Sequence, residues 1–145
     1  LFHLQDFPEY INGKAILIGC LGASYYIKPR MSQDIDLLYY NEEDVDDFIK
    51  SNEYSDIIYA DEQIVPIHVI NKVFETAIES DVIKVASPSG LIAIMLHRFD
   101  YGDQAYIALL SEYSSITGNS IDLSIFSLNE DVLKKFDKFK LTYNL

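Results

Sequence analysis

The sequence has little positive charge and almost no cysteine. Cys20 is the single cysteine of the 145 residues, which excludes an intrachain disulfide and a cysteine-rich structural zinc site. This cysteine usage is typical of a reducing compartment, so we expect a cytoplasmic protein. No apolar run approaches the ~20 residues of a membrane span, and residues 1–10 lack the basic start and apolar stretch of a signal peptide. We therefore expect no membrane partner.

Positive charge is scarce, with 11 lysines and arginines against 23 acids and a net charge of −12. Such an acidic chain does not attract nucleic acid through its overall field. One local exception is the segment "KKFDKFK" at 134–140, which holds four lysines. It is typical of a solvated helix end, where cations suit the helix dipole. The alternative is a docking patch for an anionic partner.

Apolar residues make up 49% of the chain, enough for a sizeable core. The length suits one domain, residues 1–145. Strand and helix patterns mix over about 1–86, whereas about 87–145 is almost entirely helical in pattern. The sequence therefore predicts an α/β (α+β) fold, a small mixed sheet flanked by helices and closed by a helical C-terminal part.

Short apolar runs between turn residues mark the strands, and capping residues mark the helices. The predicted strands are Ala15–Ile18, 35–40, 55–61, 64–70 and 81–87, with Pro66 placing the fourth at an edge or bulge. The predicted helices are 20–27, 42–51, 88–99, 103–116 and a C-terminal helical tail from Ile121. Segment 72–80 is ambiguous between the two.

Two carboxylates, Asp34 and Asp36, stand at the start of the predicted strand 35–40. Side chains alternate along a strand, so both point to one side, about 6.5–7 Å apart along the chain. Parallel carboxylates repel each other unless a cation lies between them. Mg²⁺ suits this arrangement because it takes one or two carboxylates and completes its shell with water and phosphate. The other D-x-D, at 44–46, falls in the first turn of a predicted helix and is interpreted as a helix-dipole partner.

Gly19 ends the first predicted strand and precedes a helix. Without a side chain, its backbone can approach a ligand closely, and free N–H groups of the helix start suit phosphate. A strand, glycine turn and helix start therefore offer a triphosphate cradle, and the carboxylates that follow offer the metal that binds the same phosphates.

The segment "LIGCLGASYYIKPRMSQDIDLL" resembles the signature of the nucleotidyltransferase superfamily. That signature is an apolar residue, a glycine, a small residue and, after a gap of roughly ten residues, D-x-D. Its nucleotide-binding and metal positions fall here on a set of six residues: Gly19, Cys20, Arg30, Ser32, Asp34 and Asp36. The later segment "VASPSGLIAIMLHRFDYGDQAYIALL" resembles the strand-Pro-helix part of the branch related to AbiEii-type toxins. The resemblance covers roughly residues 12–112.

The resemblance implies a nucleotidyltransferase-like sheet and a reaction. Members of the family transfer a nucleoside monophosphate from an NTP to a hydroxyl and release pyrophosphate. Three carboxylates hold two Mg²⁺ ions, so Mg²⁺ (or Mn²⁺) is the implied cofactor, with Asp34 and Asp36 as metal ligands and catalytic residues. The acceptor would be RNA or a protein. Some relatives are toxins of toxin–antitoxin pairs, so an antitoxin protein is an implied partner.

The sequence departs from the family pattern at several positions. The third carboxylate should lie on a following strand, and the nearest match, "VPIHVI", places His68 there; Asp61 or Glu62 serve if the register differs. His68 is retained as a catalytic candidate because imidazole can act as a general base near neutral pH. Met95 takes the place of a helix lysine that would contact phosphate, and Tyr106 that of an aspartate. We expect His97 and Arg98 at the surface; Arg98 could reach a phosphate, but nothing in the sequence requires it.

These departures leave two function classes open. The first is an active Mg²⁺-dependent nucleotidyltransferase. The second is a degenerate nucleotidyltransferase-like module that binds a nucleotide or a protein and serves a regulatory role. An acid that converges on Asp34 and Asp36 favours the first, and a histidine at that place favours the second.

Overall fold

The computed structural model describes residues 11, 13–28, 35–53, 55–60, 65–80 and 83–145. Within this part, the chain is a mixed α and β protein with a helical C-terminal part, as the sequence predicted. The strands are β1 (Ala15–Ile18), β2 (Ile35–Tyr39) and β3 (Ser55–Tyr59). The helices are α1 (Gly19–Ser24), α2 (Asp47–Ser51), α3 (Ile67–Glu75), α4 (Pro88–Arg98), α5 (Tyr101–Thr117) and α6 (Glu130–Tyr143), with 3₁₀ turns at Glu42–Asp44 and Ser124–Phe126.

The three strands form one mixed sheet in the order β1-β2-β3. β1 and β2 are antiparallel, whereas β2 and β3 are parallel. On the outer side of β1, Leu17 forms a parallel bridge with Val85. The N–H of Leu17 donates to the carbonyl of Lys84, and its carbonyl accepts from the N–H of Ala86. The predicted strand at 81–87 is thus reduced to a short bridged segment among the described residues.

Both faces of the sheet are covered, because side chains alternate between two apolar cores. One face sends Ile16, Ile18 and Leu38 into a core shared with α3, α4, α5 and α6. The opposite face sends Leu17, Leu37 and others against a smaller core that includes Ile49 of α2. Burial on both faces explains why β1 reads as a continuous apolar run.

Capping residues fix the ends of the C-terminal helices. The Ser87 hydroxyl accepts from the N–H of Gly90 at the start of α4, and Pro88 occupies the first turn. α5 begins with a capping box between Asp100 and Asp103 and ends at Gly118 in the left-handed region. The break between α4 and α5 therefore lies at residues 99–100, whereas the sequence had placed it at Gly102.

The prediction of a strand at 64–70 was wrong. Residues from Ile67 onward form α3, directly after Pro66. The apolar residues Val69, Ile70 and Val73 are buried, whereas Ile67 is 54% exposed. This spacing puts one face of a helix in the core, and the apparent alternation was a helical pattern read over too short a window.

Residues 42–51 were predicted as one helix but form two elements. A 3₁₀ turn covers Glu42–Asp44, and α2 starts only at Asp47. The Asp46 carboxylate accepts from the N–H of Phe48 and caps α2. Buried Val45 lies between the two elements and packs into the smaller core.

Across the described residues, no helix is long and apolar enough to cross a membrane.

Candidate active site

Gly19 and Asp36 meet at the end of the β1–β2 ladder. Ile18 is the register partner of Asp36, so the chain turns into α1 beside that carboxylate. Gly19 has φ +67°, a conformation that L-residues rarely adopt. A Cβ at this position would lie 2.8 Å from Asp36 Cγ, closer than real contacts of this kind. Glycine is therefore needed twice here, for the turn and for the space that the Asp36 carboxylate occupies.

A cleft of about 430 Å³ opens over this contact, a size within the usual range for small-molecule sites. Its lining residues come from the glycine turn, β2, α4 and the start of α5: Gly19, Cys20, Asp36, Met95, Arg98, Asp100, Tyr101, Gly102, Asp103 and Tyr106. A second cavity adjoins it and shares Gly19, Asp36 and Arg98. The wall of that second cavity is mainly aliphatic, formed by Ile18, Ile58, Val65, Leu91, Ile94 and Met95.

Arg98 is held across the cleft by a buried carboxylate. Its Nε and Nη2 donate to the two carboxylate oxygens of Asp103, each over 2.8 Å. Asp103 is 4% exposed, and Asp100 adds a contact of 3.2 Å to Nε. The hydrogen bonds that Arg98 donates to Asp103 raise the pKa of Arg98, and the nearby charges of Asp103, Asp100 and Asp36 act in the same direction. The guanidinium is thus permanently charged and fixed in orientation.

Asp100 combines two roles at this junction. Its carboxylate accepts from the backbone N–H of Asp103, and this bond, with the charge of Arg98, lowers the pKa of Asp100. The carboxyl is therefore ionised at neutral pH. In return, the Asp103 side chain accepts from the N–H of Asp100. The start of α5 and the end of α4 are locked together by one small polar network.

Asp56 is a carboxylate that the sequence reasoning overlooked. In the parallel β2–β3 ladder, Asp56 is the register partner of Asp36. Partners in neighbouring strands lie about 4.8 Å apart and point to the same face of the sheet. Ile18, Asp36 and Asp56 thus form one row across the sheet, on the face covered by α4. The side chain of Asp56 is solvent-exposed, beside the cleft rather than in its lining.

The structure brings three of the predicted site residues together. Gly19, Cys20 and Asp36 line one cleft. The remaining predicted binding and metal residues, Arg30, Ser32 and Asp34, lie outside the described residues, as do the alternative acids Asp61 and Glu62. The predicted pairing of Asp34 with Asp36 therefore stays a prediction.

His68 does not stand at the position that the sequence suggested. It lies on α3, is exposed, and its Nε2 donates to the carbonyl of Ser127 over 2.9 Å. It is absent from the residues that line the cleft around Asp36. The reason is the strand-to-helix error at 64–70, since a helix register carries this side chain away from the sheet row. The suggested equivalence of His68 with the third carboxylate is therefore withdrawn.

Two departures from the family pattern contact each other. Cys20 Sγ and Tyr106 Oη are 2.7 Å apart inside the cleft. The sequence comparison treated these positions separately, yet the fold joins the glycine turn to α5 through this pair. The tyrosine at 106 thus reaches across to the thiol at 20.

The donor chemistry around Asp36 suits a hard cation. Asp36 and its register partner Asp56 supply carboxylate oxygens, the ligand type that Mg²⁺ and Mn²⁺ prefer. Within 11–145, leaving out the residues that the structure does not describe, no three His, Cys, Asp or Glu side chains form a metal-holding group. Asp34, the other predicted ligand, precedes the described part of β2.

Arg98 was named as a surface residue that could reach a phosphate, whereas Asp56 was missed. Arg98 is exposed, as expected, but the turn between α4 and α5 directs it over the cleft. Asp56 lies in the predicted strand 55–61, but the sequence did not show that this strand pairs in parallel with β2 and places Asp56 beside Asp36.

Searches against family models and curated proteins return no match to this chain.

Proposed function

We propose that the protein is a Mg²⁺-dependent nucleotidyltransferase that transfers a nucleoside monophosphate from an NTP to a hydroxyl acceptor. The observation that carries the proposal is the contact between Gly19 and Asp36, where a glycine turn leaves room for a carboxylate at the mouth of a cleft. The sequence motif required these two residues to meet. A random D-x-D would carry no such requirement.

The cleft offers different surroundings to the two ends of a nucleotide. Arg98 and the carboxylates occupy the polar side, suited to a metal-bound triphosphate. The adjoining cavity of about 110 Å³, whose aliphatic wall includes Ile58 and Leu91, is too small for a whole nucleoside and offers an apolar surface to its uncharged end.

The transfer forms a bond between the acceptor oxygen and the α-phosphorus and breaks the bond from that phosphorus to pyrophosphate. The acceptor hydroxyl transfers its proton to solvent or to a carboxylate, and pyrophosphate departs as the second product. Asp36 and Asp56, with Asp34, would hold Mg²⁺, which when bound neutralises charge on the phosphates. The protein groups orient the reactants and exclude water.

A degenerate, nucleotide-binding module is the second candidate. Its support is Met95, which lines the cleft at the place where the resembling family has a phosphate-contacting lysine. Asp56 favours the first candidate, because it is the register partner of Asp36 and faces the same side of the sheet. An Asp56→Asn change in an active enzyme should abolish turnover while leaving NTP binding measurable.

The test is a titration with each of the four NTPs, with Mg²⁺ or Mn²⁺ present and absent, followed by measurement of pyrophosphate release. Metal-dependent binding with release of pyrophosphate in the presence of an RNA or protein acceptor supports the transferase. Metal-dependent binding without release under any acceptor supports the degenerate module. Absence of binding to all four NTPs contradicts both.

The net charge of the protein bears on the class of acceptor and on the kind of partner that we propose. The net charge disfavours RNA except near the lysines of 134–140 on α6, of which Lys134 and Lys138 are exposed and Lys135 and Lys140 are half-buried. A protein acceptor, or an antitoxin protein that covers the cleft, needs no basic surface. Pull-down from a lysate of the source organism tests the antitoxin partner, and recovery of no specific partner contradicts that part of the proposal.

A further inference from the structure

Arg98 lines the cleft and uses one edge of its guanidinium in the bonds to Asp103. The bonds to Asp103 use Nε and Nη2, so Nη1 faces away from that carboxylate. The side chain is 69% exposed although its partner is buried. This is a rigid donor whose orientation is already fixed before any ligand arrives, which lowers the entropy lost on binding.

The position of Arg98 also matters within its helix. It lies three residues after Met95, and residues three apart share a face of a helix. Both side chains line the cleft that contains Asp36 and Gly19. Met95 occupies the place where the resembling family has a lysine. The positively charged residue of this helix is instead Arg98, one turn later.

We propose that Arg98 donates hydrogen bonds to phosphate oxygens of the NTP, with Asp103 as the residue that positions it. This inference rests on the proposed function. It assigns the triphosphate to the side of the cleft formed by α4 and the start of α5. Asp103 acts through Arg98 and does not itself contact the nucleotide.

The charge balance of the cleft adds a condition to this role. Among the described lining residues, the carboxylates Asp36, Asp100 and Asp103 outnumber the guanidinium of Arg98. Arg98 therefore supplies directed N–H groups, while the net charge of the site opposes a bare polyanion. The triphosphate should bind through Arg98 only as its complex with a divalent cation.

The experiment measures the dissociation constants of the tightest-binding NTP and of its nucleoside by calorimetry at saturating Mg²⁺. Arg98→Gln should weaken NTP binding by about 10- to 100-fold, as expected for lost charge-assisted hydrogen bonds, and leave nucleoside binding unchanged. Asp103→Asn should reduce the preference for NTP over nucleoside by a smaller factor. Lys72→Gln, which removes an exposed cation paired with Glu75 on α3, is the matched control and should change nothing.

A double variant separates binding from folding, because Arg98→Gln leaves a buried carboxylate unpaired. Arg98→Met with Asp103→Leu removes both charges and should fold, yet bind NTP as weakly as Arg98→Gln. Recovery of wild-type NTP affinity in this double variant would show that Arg98 is only a counter-ion, and unchanged affinity in Arg98→Gln would overturn the inference directly. In both cases the wild type still binds NTP, so the proposed function stands; a wild type that binds no NTP overturns both.

Discussion

At the scale of single residues, Gly19 is the position on which the site depends. Gly19→Ala places a methyl group against the Asp36 carboxylate and forces a residue with a Cβ to φ +67°. The strain of that backbone conformation costs about 1–2 kcal/mol, and the carboxylate must also move. We expect a lower free energy of unfolding and loss of metal-dependent NTP binding, measured by chemical denaturation and by calorimetry.

Gly118→Ala is the control for that change. Gly118 has φ +77° at the end of α5, and a Cβ there meets nothing within 4 Å. The variant carries the same backbone strain without a contact to the site. It should lose about 1 kcal/mol of stability and keep full NTP affinity. Equal NTP affinity in Gly19→Ala and Gly118→Ala would contradict the role given to the Gly19–Asp36 contact.

A second prediction at this scale concerns the ionisation of Tyr39 and the pH dependence of stability. Its hydroxyl is buried and has no hydrogen-bond partner among the described residues. Burial, with the charge of Asp46 as a smaller cause, raises the pKa of Tyr39 to about 12. Because the folded pKa exceeds the unfolded value of about 10, the stability due to this group is complete below pH 10. It is then lost as the pH rises to about 12.

Tyr39→Phe removes both the unpaired hydroxyl and the titration. The variant should be as stable as the wild type or more stable by about 1 kcal/mol at pH 7. Denaturation curves at pH 9, 10, 11 and 12 should show the wild type losing stability relative to this variant. Parallel pH profiles for the two proteins would refute the assignment.

At the scale of secondary-structure elements, α3 and the 3₁₀ turn at Ser124–Phe126 are joined through His68 and Ser127. His68→Ala should lower the free energy of unfolding by about 0.5–1 kcal/mol, since one exposed hydrogen bond is lost. NTP affinity and turnover should not change. His68→Gln, which keeps a donor, is the control for stability, and a large loss of turnover in either variant would restore the catalytic reading of this residue.

The elements also show what the sequence could and could not predict. β1, β2 and α4 were predicted almost to the residue, because short buried runs and a Ser-Pro helix start are local signals. α3 was missed because Val65, Ile67 and Val69 alternate like a strand. Only the burial of Val69, Ile70 and Val73 together reveals a helix.

The candidate site was partly predictable because some of its residues belong to a local sequence motif. Gly19 and Asp36 belong to one motif, and they meet because Ile18 and Asp36 are partners in the antiparallel β1–β2 ladder. Asp56 and Arg98 reach the site through a parallel strand register and a helix junction far along the chain. Such long-range pairings carry no local sequence signal.

At the scale of the whole molecule, the cleft draws together segments from residue 18 to residue 106. No single element forms it, so the site exists only when the sheet and the C-terminal helices are packed together. The net charge of −12 adds a global constraint, because it opposes the approach of any uncompensated anion. A divalent cation that accompanies the triphosphate, as proposed, would offset this repulsion.

The most direct test of the account is a calorimetric titration of NTP into wild type, Asp36→Asn and Asp47→Asn, with and without Mg²⁺. Asp47 is an exposed aspartate at the start of α2 and serves as the matched control. The account predicts Mg²⁺-dependent binding in the wild type and in Asp47→Asn, and none in Asp36→Asn. Binding that is indifferent to the Asp36 carboxylate, or a wild type that takes up no NTP, would contradict it.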